Sequence, residues 1–251
     1  MTKILACCFL LILITVAAEA SDPSVVLYLP LDEGQGNDTK DLSGYGNHGF
    51  LEESPEWITG KFGKALEFDA GSRVYIPASD SLHGDIFKDD FTLLAWIMPA
   101  VVGDTWQHIW RSVDDADGTQ CTLFFNTGGF LSWRGRIDDV WGERCATPGG
   151  LITGDDWVHI AVLSDGTDYK MYLDGEEVIS AAYEEMNGGI VDFYLGFDGR
   201  PWDERYSGAI DEVYLLTRAL SDTQVKSAMS GIDLSVQPAG KLAGTWGALK
   251  H

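Results

Sequence analysis

Positive charge is scarce in this sequence. Lys and Arg number 17 against 39 Asp and Glu, a formal net charge of −22. No basic patch that could neutralise phosphates is legible, which argues against nucleic acid and anionic membrane as partners. The bland role of so much acid is solubility, and a sharper one is affinity for divalent cations. Cysteine is scarce too, with four in all. No C-x-x-C and no Cys/His spacing suited to zinc occurs. Long amphipathic helical stretches are also missing, so βαβ units and a parallel sheet are not expected.

What is present is a chain of 251 residues, 45% apolar and 22% charged. That suffices for a sizeable core and is within the range of a single β-sandwich. Residues 1–20 read as a leader: Lys3 gives a positive start, an apolar run follows to Ala18, and Ala18-Glu19-Ala20 has the small-x-small pattern of a cleavage site. The run is short for a bilayer span. Export to the extracellular space or the periplasm is expected, with no membrane insertion after cleavage. Cys7 and Cys8 leave with the leader, while Cys121 and Cys145 remain. An even count in an oxidising compartment suggests one Cys121–Cys145 disulfide, the alternative being two buried thiols.

Short apolar or alternating runs broken by Gly, Asp and Asn continue to Leu216. They predict strands near 25–31, 65–69, 73–77, 91–99, 108–112, 121–126, 130–134, 157–164, 169–173, 177–181, 191–197 and 208–216. Asp174-Gly175 predicts a tight hairpin, and Thr127-Gly128-Gly129 a second. One short helix is expected near the end, where Ser221 and Gln224 have capping-box spacing and Gly231 can close the C-terminus. The predicted fold is all-β: a two-sheet antiparallel sandwich over residues 21–231 with one short C-terminal helix. Residues 232–251, with Pro238 and Trp246, read as a tail.

Several separated motifs belong together. Leu29-Pro30-Leu31-Asp32-Glu33-Gly34 precedes Asp41-Leu42-Ser43-Gly44-Tyr45-Gly46-Asn47-His48-Gly49. Gly60-Lys61-Phe62-Gly63-Lys64-Ala65 and Phe91-Thr92-Leu93-Leu94-Ala95-Trp96-Ile97 follow. Trp157-Val158-His159, Tyr172-Leu173-Asp174-Gly175 and Gly208-Ala209-Ile210-Asp211-Glu212-Val213 complete the series. In this order they resemble the LamG-like jelly-roll family of concanavalin A-like lectin/glucanase sandwiches. The resemblance implies two packed antiparallel sheets, often a disulfide, and often a structural calcium. It also implies that Asp211 shares that calcium with the 41–49 turn, through Asp41 and Asn47. Calcium takes carboxylate and carbonyl oxygens, and the glycines of that turn can expose carbonyls. The alternative is that Asp41 only bonds local backbone amides. Asp32 is a further candidate ligand. Strand alternation would put Asp211 and Val213 on one face and Glu212 on the other. The run Asp114-Asp115-Ala116-Asp117-Gly118 fails the EF-hand spacing and reads as a solvated turn.

Catalytic signatures are absent. Glucanases of the superfamily carry Glu-x-Asp-x-Glu on one strand, and around Asp211 two of those three carboxylates are missing. No Gly-x-Ser-x-Gly elbow occurs either. His108 and His159 stand in apolar strands beside tryptophans and read as packing residues.

Tryptophan is abundant, with nine in all. Trp96 and Trp157 fit core strands. Trp106, Trp110, Trp133, Trp141 and Trp202 lie in or near polar stretches and are candidate ligand contacts, because aromatic faces stack on sugar rings. Asn37-Asp38-Thr39 is a glycosylation sequon. These features favour a secreted, non-catalytic module for a carbohydrate, a glycoconjugate or a cell-surface protein. A glycoside hydrolase of the same superfamily and a purely structural or adhesive surface protein are the alternatives.

Overall fold

The computed structural model describes residues 22–69, 71–113, 119–196 and 204–231. The leader, the 114–118 turn, Trp202 and the tail with Trp246 lie outside the described residues.

In chain order the first strands are β1 (Val25–Leu29), β2 (Asp38–Thr39), β3 (Gly49–Glu52), β4 (Glu56–Thr59), β5 (Lys64–Phe68), β6 (Arg73–Ile76), β7 (Phe91–Pro99) and β8 (Gln107–Val113). There follow β9 (Thr119–Phe125), β10 (Leu131–Ile137), β11 (Val140–Ala146), β12 (Val158–Ser164), β13 (Asp168–Leu173), β14 (Glu176–Ala182), β15 (Asp192–Leu195) and β16 (Gly208–Leu216). Helix α1 (Asp222–Ala228) closes the described chain. A first sheet runs β14-β13-β12-β7-β16-β5-β4, with β1 also paired to β16. A second runs β11-β10-β9-β8-β15-β6-β3-β2. Every pair of strands is antiparallel, and the two sheets face each other across one apolar core. The expected two-sheet sandwich is therefore the observed fold.

Alternation explains which side chains fill the core. Phe91, Leu93, Ala95 and Ile97 of β7 point inward, and Leu123 and Phe125 of β9 meet them from the second sheet. Part of the outward side of the first sheet is apolar as well, where α1 covers it. Leu94, Ala161, Leu163, Tyr172, Tyr214 and Leu216 pack there against Val225 and Ala228. Helix α1 starts as its sequence predicts: Ser221 and Gln224 form a reciprocal capping box.

Two bulges change the phase of alternation. In β16 the pairing with β7 slips between Asp211 and Tyr214, and Glu212 takes the left-handed backbone at φ +51°. Ile210 and Val213 therefore both enter the core, and Asp211 does not share a face with Val213 as strict alternation would have it. In β8 a slip between His108 and Trp110 sends both Ile109 and Trp110 inward. Its outward positions fall to His108 and Arg111.

The expected disulfide does not form: Cys121 and Cys145 are both free and buried. Cys121 pairs with Gly135 and Cys145 with Trp133, so the cysteines flank β10 on opposite sides. Two strand spacings put them roughly 9–10 Å apart, beyond the roughly 7 Å Cα limit of a disulfide. Burial raises the Cys121 thiol well above its ordinary value and pushes Cys145 up to about 12, so neither forms a reactive thiolate near neutrality. Alkylation without reductant is the check. Mass spectrometry should find Cys121 and Cys145 unmodified in the native protein and both alkylated once it is unfolded.

Candidate functional site

The structure brings Asp41 and Asn47 together but leaves Asp211 elsewhere. Asp41 Oδ1 accepts from the Tyr28 and Ser43 amides at 2.9 Å each. Its Oδ2 accepts from Ser43 Oγ at 2.6 Å and the Asn47 amide at 2.8 Å. The Asn47 side chain donates to the Val26 carbonyl at 2.7 Å and accepts from Ser79 Oγ at 2.6 Å. Leu42 also donates to the Tyr28 carbonyl, so this turn lies along the edge of β1 away from β16. Asp211 is then about two strand spacings off, roughly 10 Å or more. Calcium ligands must all reach 2.3–2.6 Å from one ion. Asp41, Asn47 and Asp211 do not form one such set, and among the described residues no cluster of three His, Cys, Asp or Glu does. Asp32 is committed as well, accepting from the Lys64 amide at 2.7 Å.

Asp211 belongs to a buried polar row on the outer side of the first sheet. Its Oδ2 accepts from the Phe62 amide at 3.0 Å, and its Oδ1 has no partner. Trp96 of β7 stands opposite it, and His159 of β12 stands opposite Trp96. All three are almost fully buried, and neither the Trp96 indole nitrogen nor either His159 ring nitrogen is hydrogen-bonded. Burial is the first cause of each shift here. It pushes Asp211 up to about 7 and His159 down to about 4. Glu212 lies beside this row, accepting from Tyr28 and Tyr214 Oη at 3.1 Å each, and burial raises it too.

The tryptophans divide by face. Trp110 and Trp133 are core residues, 1% and 0% exposed, so they are withdrawn as ligand contacts. Trp106 and Trp141 instead meet over the outer face of the second sheet, and Trp202 lies outside the described residues. There they border a cleft of about 230 Å³ with His108, Arg111, Thr122, Phe124, Arg134 and Glu204. Trp106 stacks on Phe124, with ring centres 5.1 Å apart and planes 10° from parallel. The Arg134 guanidinium lies 5.3 Å from the Trp106 ring centre, 5.8 Å from Phe124 and 5.5 Å from Trp141. These distances are within cation–π range.

Hydrogen bonds fix the polar side of the cleft. Thr122 Oγ donates to the Trp110 carbonyl at 2.8 Å, and His108 Nδ1 lies 2.7 Å from that hydroxyl oxygen. His108 Nε2 lies 2.7 Å from Glu204, which also sits 3.6 Å from Arg111. Thr122 and Glu204 thus fix the imidazole through both of its ring nitrogens. Of this constellation the sequence reading named only Trp106 and Trp141, and it set His108 aside as a packing residue. Phe124 and Arg134 carried a usable signal: each is bulky, on an outward position of a strand whose other face is core.

A wider depression of about 500 Å³ lies beside α1, but its polar groups satisfy one another. Lys170 pairs with Asp165 at 2.8 Å, and Tyr172 Oη donates to Asp222 at 2.8 Å.

Two stability measurements follow. Asp211 is raised from 3.8 to about 7, so the fold favours its protonated form. Its contribution is full below pH 4 and is lost as pH rises through 7. Asp211→Asn keeps the acceptor for Phe62 and removes the charge. Thermal melts should show it more stable than wild type at pH 8 by a few kcal/mol at most, with the gain vanishing near pH 4. Because Asp41 and Asp211 are apart, melts in EGTA and in excess calcium are expected to coincide.

The chain matches a laminin G family model described as the concanavalin A-like lectin/glucanases superfamily over residues 68–226. No curated protein matches it in sequence. Among solved structures, the binding domain of Paraclostridial mosquitocidal protein 1 aligns with a TM-score of 0.66 at 18% identity, covering 82% of this chain and 52% of that one. Domain 4 of AbnA, a GH43 extracellular arabinanase from Geobacillus stearothermophilus, was solved in complex with arabinotriose. It aligns at 0.64 with 19% identity, over 85% of this chain and 98% of its own. The botulinum neurotoxin serotype D ligand binding domain in complex with N-acetylneuraminic acid aligns at 0.64 with 13% identity, over 84% and 52%. This chain thus spans about half the length of the two toxin binding domains. At these identities the likeness is one of fold. With the family model matched over more than half its length, the chain belongs to the concanavalin A-like lectin/glucanase superfamily.

Proposed function

We propose that this chain is a non-catalytic saccharide-binding module that acts after export, with its site on the outer face of the second sheet. The observation that carries this reading is the cleft formed by Trp106, Phe124 and Trp141 around Arg134. Flat apolar rings beside convergent donors and acceptors suit a sugar, which is apolar on its ring faces and polar at its rim. About 230 Å³ is small against the roughly 300–1,000 Å³ of drug-sized sites, so one sugar unit enters and the rest of the ligand runs along the strands. The arabinanase domain, aligned over 98% of its length, was solved in complex with arabinotriose, which supports a saccharide for this one; the neurotoxin domain in complex with N-acetylneuraminic acid is aligned over only 52% of its length.

The non-catalytic reading rests on carboxylates. Glycoside hydrolysis uses a pair flanking the scissile bond, and among the described residues bordering the cleft Glu204 is the only carboxylate. Asp211 and Glu212 are on the other sheet, buried and facing away from it. No sustained release of reducing sugar is expected from any polysaccharide the protein binds.

A glycan array followed by titration tests the site. Trp141→Ala is expected to weaken binding about tenfold or more, equivalent to about 1.4 kcal/mol, with little change in melting temperature. Trp133→Ala should instead cost roughly 3–5 kcal/mol of stability. An intact protein that binds no saccharide would remove this reading and leave a structural or adhesive role.

A further inference from the structure

Two arginines of β10 bear on which saccharide would suit the site: Arg134 borders the cleft, and Arg136 stands two residues further along the same face. In a chain with 39 acidic and 17 basic residues, arginines would be expected to find carboxylates easily. Arg134 and Arg136 do not. Among the described residues neither makes a salt bridge or a side-chain hydrogen bond, and the Nε of each is buried without an acceptor. They stand at i and i+2 on β10, hence on one face about 7 Å apart.

Glu143 and Glu204 act on Arg134 through space, but neither forms a salt bridge with it. Glu143 lies directly opposite Arg134 on β11, yet it accepts from Ser132 Oγ at 3.1 Å. Glu204 is taken by His108 and Arg111. Three aromatic rings hold Arg134, and Trp141 lies opposite Arg136 in the β10–β11 register. Rings position a guanidinium without using its in-plane donors, whereas a carboxylate or sulfate would use them in pairs. Beneath the pair, Gly135 gives β10 a bare inner side. A Cβ there would come within 2.0 Å of Met186 Sδ, so the strand is packed tightly from behind. This backing holds Arg134 and Arg136 on either side of one rigid position.

We propose that the saccharide bound at this site is anionic, carrying a carboxylate or sulfate that Arg134 and Arg136 receive while Trp141 and Trp106 contact the ring faces. The inference rests on the saccharide reading above and adds the ligand's charge to it. The protein's overall negative charge is no bar, because charges beyond about 8 Å are largely screened at physiological ionic strength.

Isothermal titration of the full chain with three probes of equal length separates the outcomes: an oligogalacturonate, a sulfated galacto-oligosaccharide and a neutral galacto-oligosaccharide. At least one anionic probe is expected to bind tenfold or more tighter than the neutral one, and to weaken in 0.5 M salt. Which anionic probe wins identifies the group as carboxylate or sulfate. Arg134→Gln should erase the preference, and Arg136→Gln should reduce it. Arg134→Lys keeps the charge but loses the paired donors, and should recover only part of it. Equal binding of the neutral probe, or a preference that survives Arg134→Gln with Arg136→Gln, overturns the anionic assignment and leaves the saccharide reading standing. Binding of none of the three overturns both.

Discussion

Burial of both faces of β7 and β16 is the constraint from which the rest of the structure follows. These strands face the opposite sheet on one side and α1 with the 60–63 turn on the other, so nearly every side chain they carry is out of water. A strand in that position can keep a polar residue only if neighbours satisfy it or its charge is suppressed. Asp211 and His159 show the second outcome, Glu212 the first. Among the described residues no helix packs on the outer face of the second sheet. Its outward side chains can be aromatic and charged together, and its central strands carry the cleft.

That asymmetry also bears on stability without cross-links. The cysteines are separated by β10, and Asp41 and Asp211 by β1, so neither pair joins distant parts of the chain. The sandwich is instead held by its apolar core and by local closure of loops. Asp41 organises one turn through four accepted hydrogen bonds, and the capping box starts α1. Each of these is a short-range device, and both are legible in the sequence: the Asp41 turn as the alternative to a metal link, the capping box as the start of the helix.

Legibility tracked burial. Strands β7 and β16 were readable to their end residues because both are long apolar runs with abrupt ends. Strands β2, β3, β4 and β11 were missed: they are short or largely polar, with exposed positions that break the period. Trp141 sits in one of them, so its neighbours in space could not be inferred. Bulges hid more. One extra residue in β8 turns Trp110 into the core beside Ile109, although its polar neighbours in sequence suggest a ligand contact. Composition cannot reveal such a slip, since Trp133 and Trp141 look alike in their polar surroundings and differ only in the phase of their strands.

Net charge has a limit of a related kind. A sum of −22 describes the average surface, and that average argues against nucleic acid and anionic membrane as partners. Recognition is decided within a few ångströms, where Debye screening removes the average and leaves the nearest groups. Around the cleft those groups are His108 and Arg111 beside Glu204, and Arg134, which feels Glu143 and Glu204 without a salt bridge to either. Donors left unmatched in an acid-rich chain are not a deficit of acid. Glu143 is positioned opposite Arg134 and accepts from Ser132, so an acceptor stands in reach of the guanidinium without a salt bridge to it.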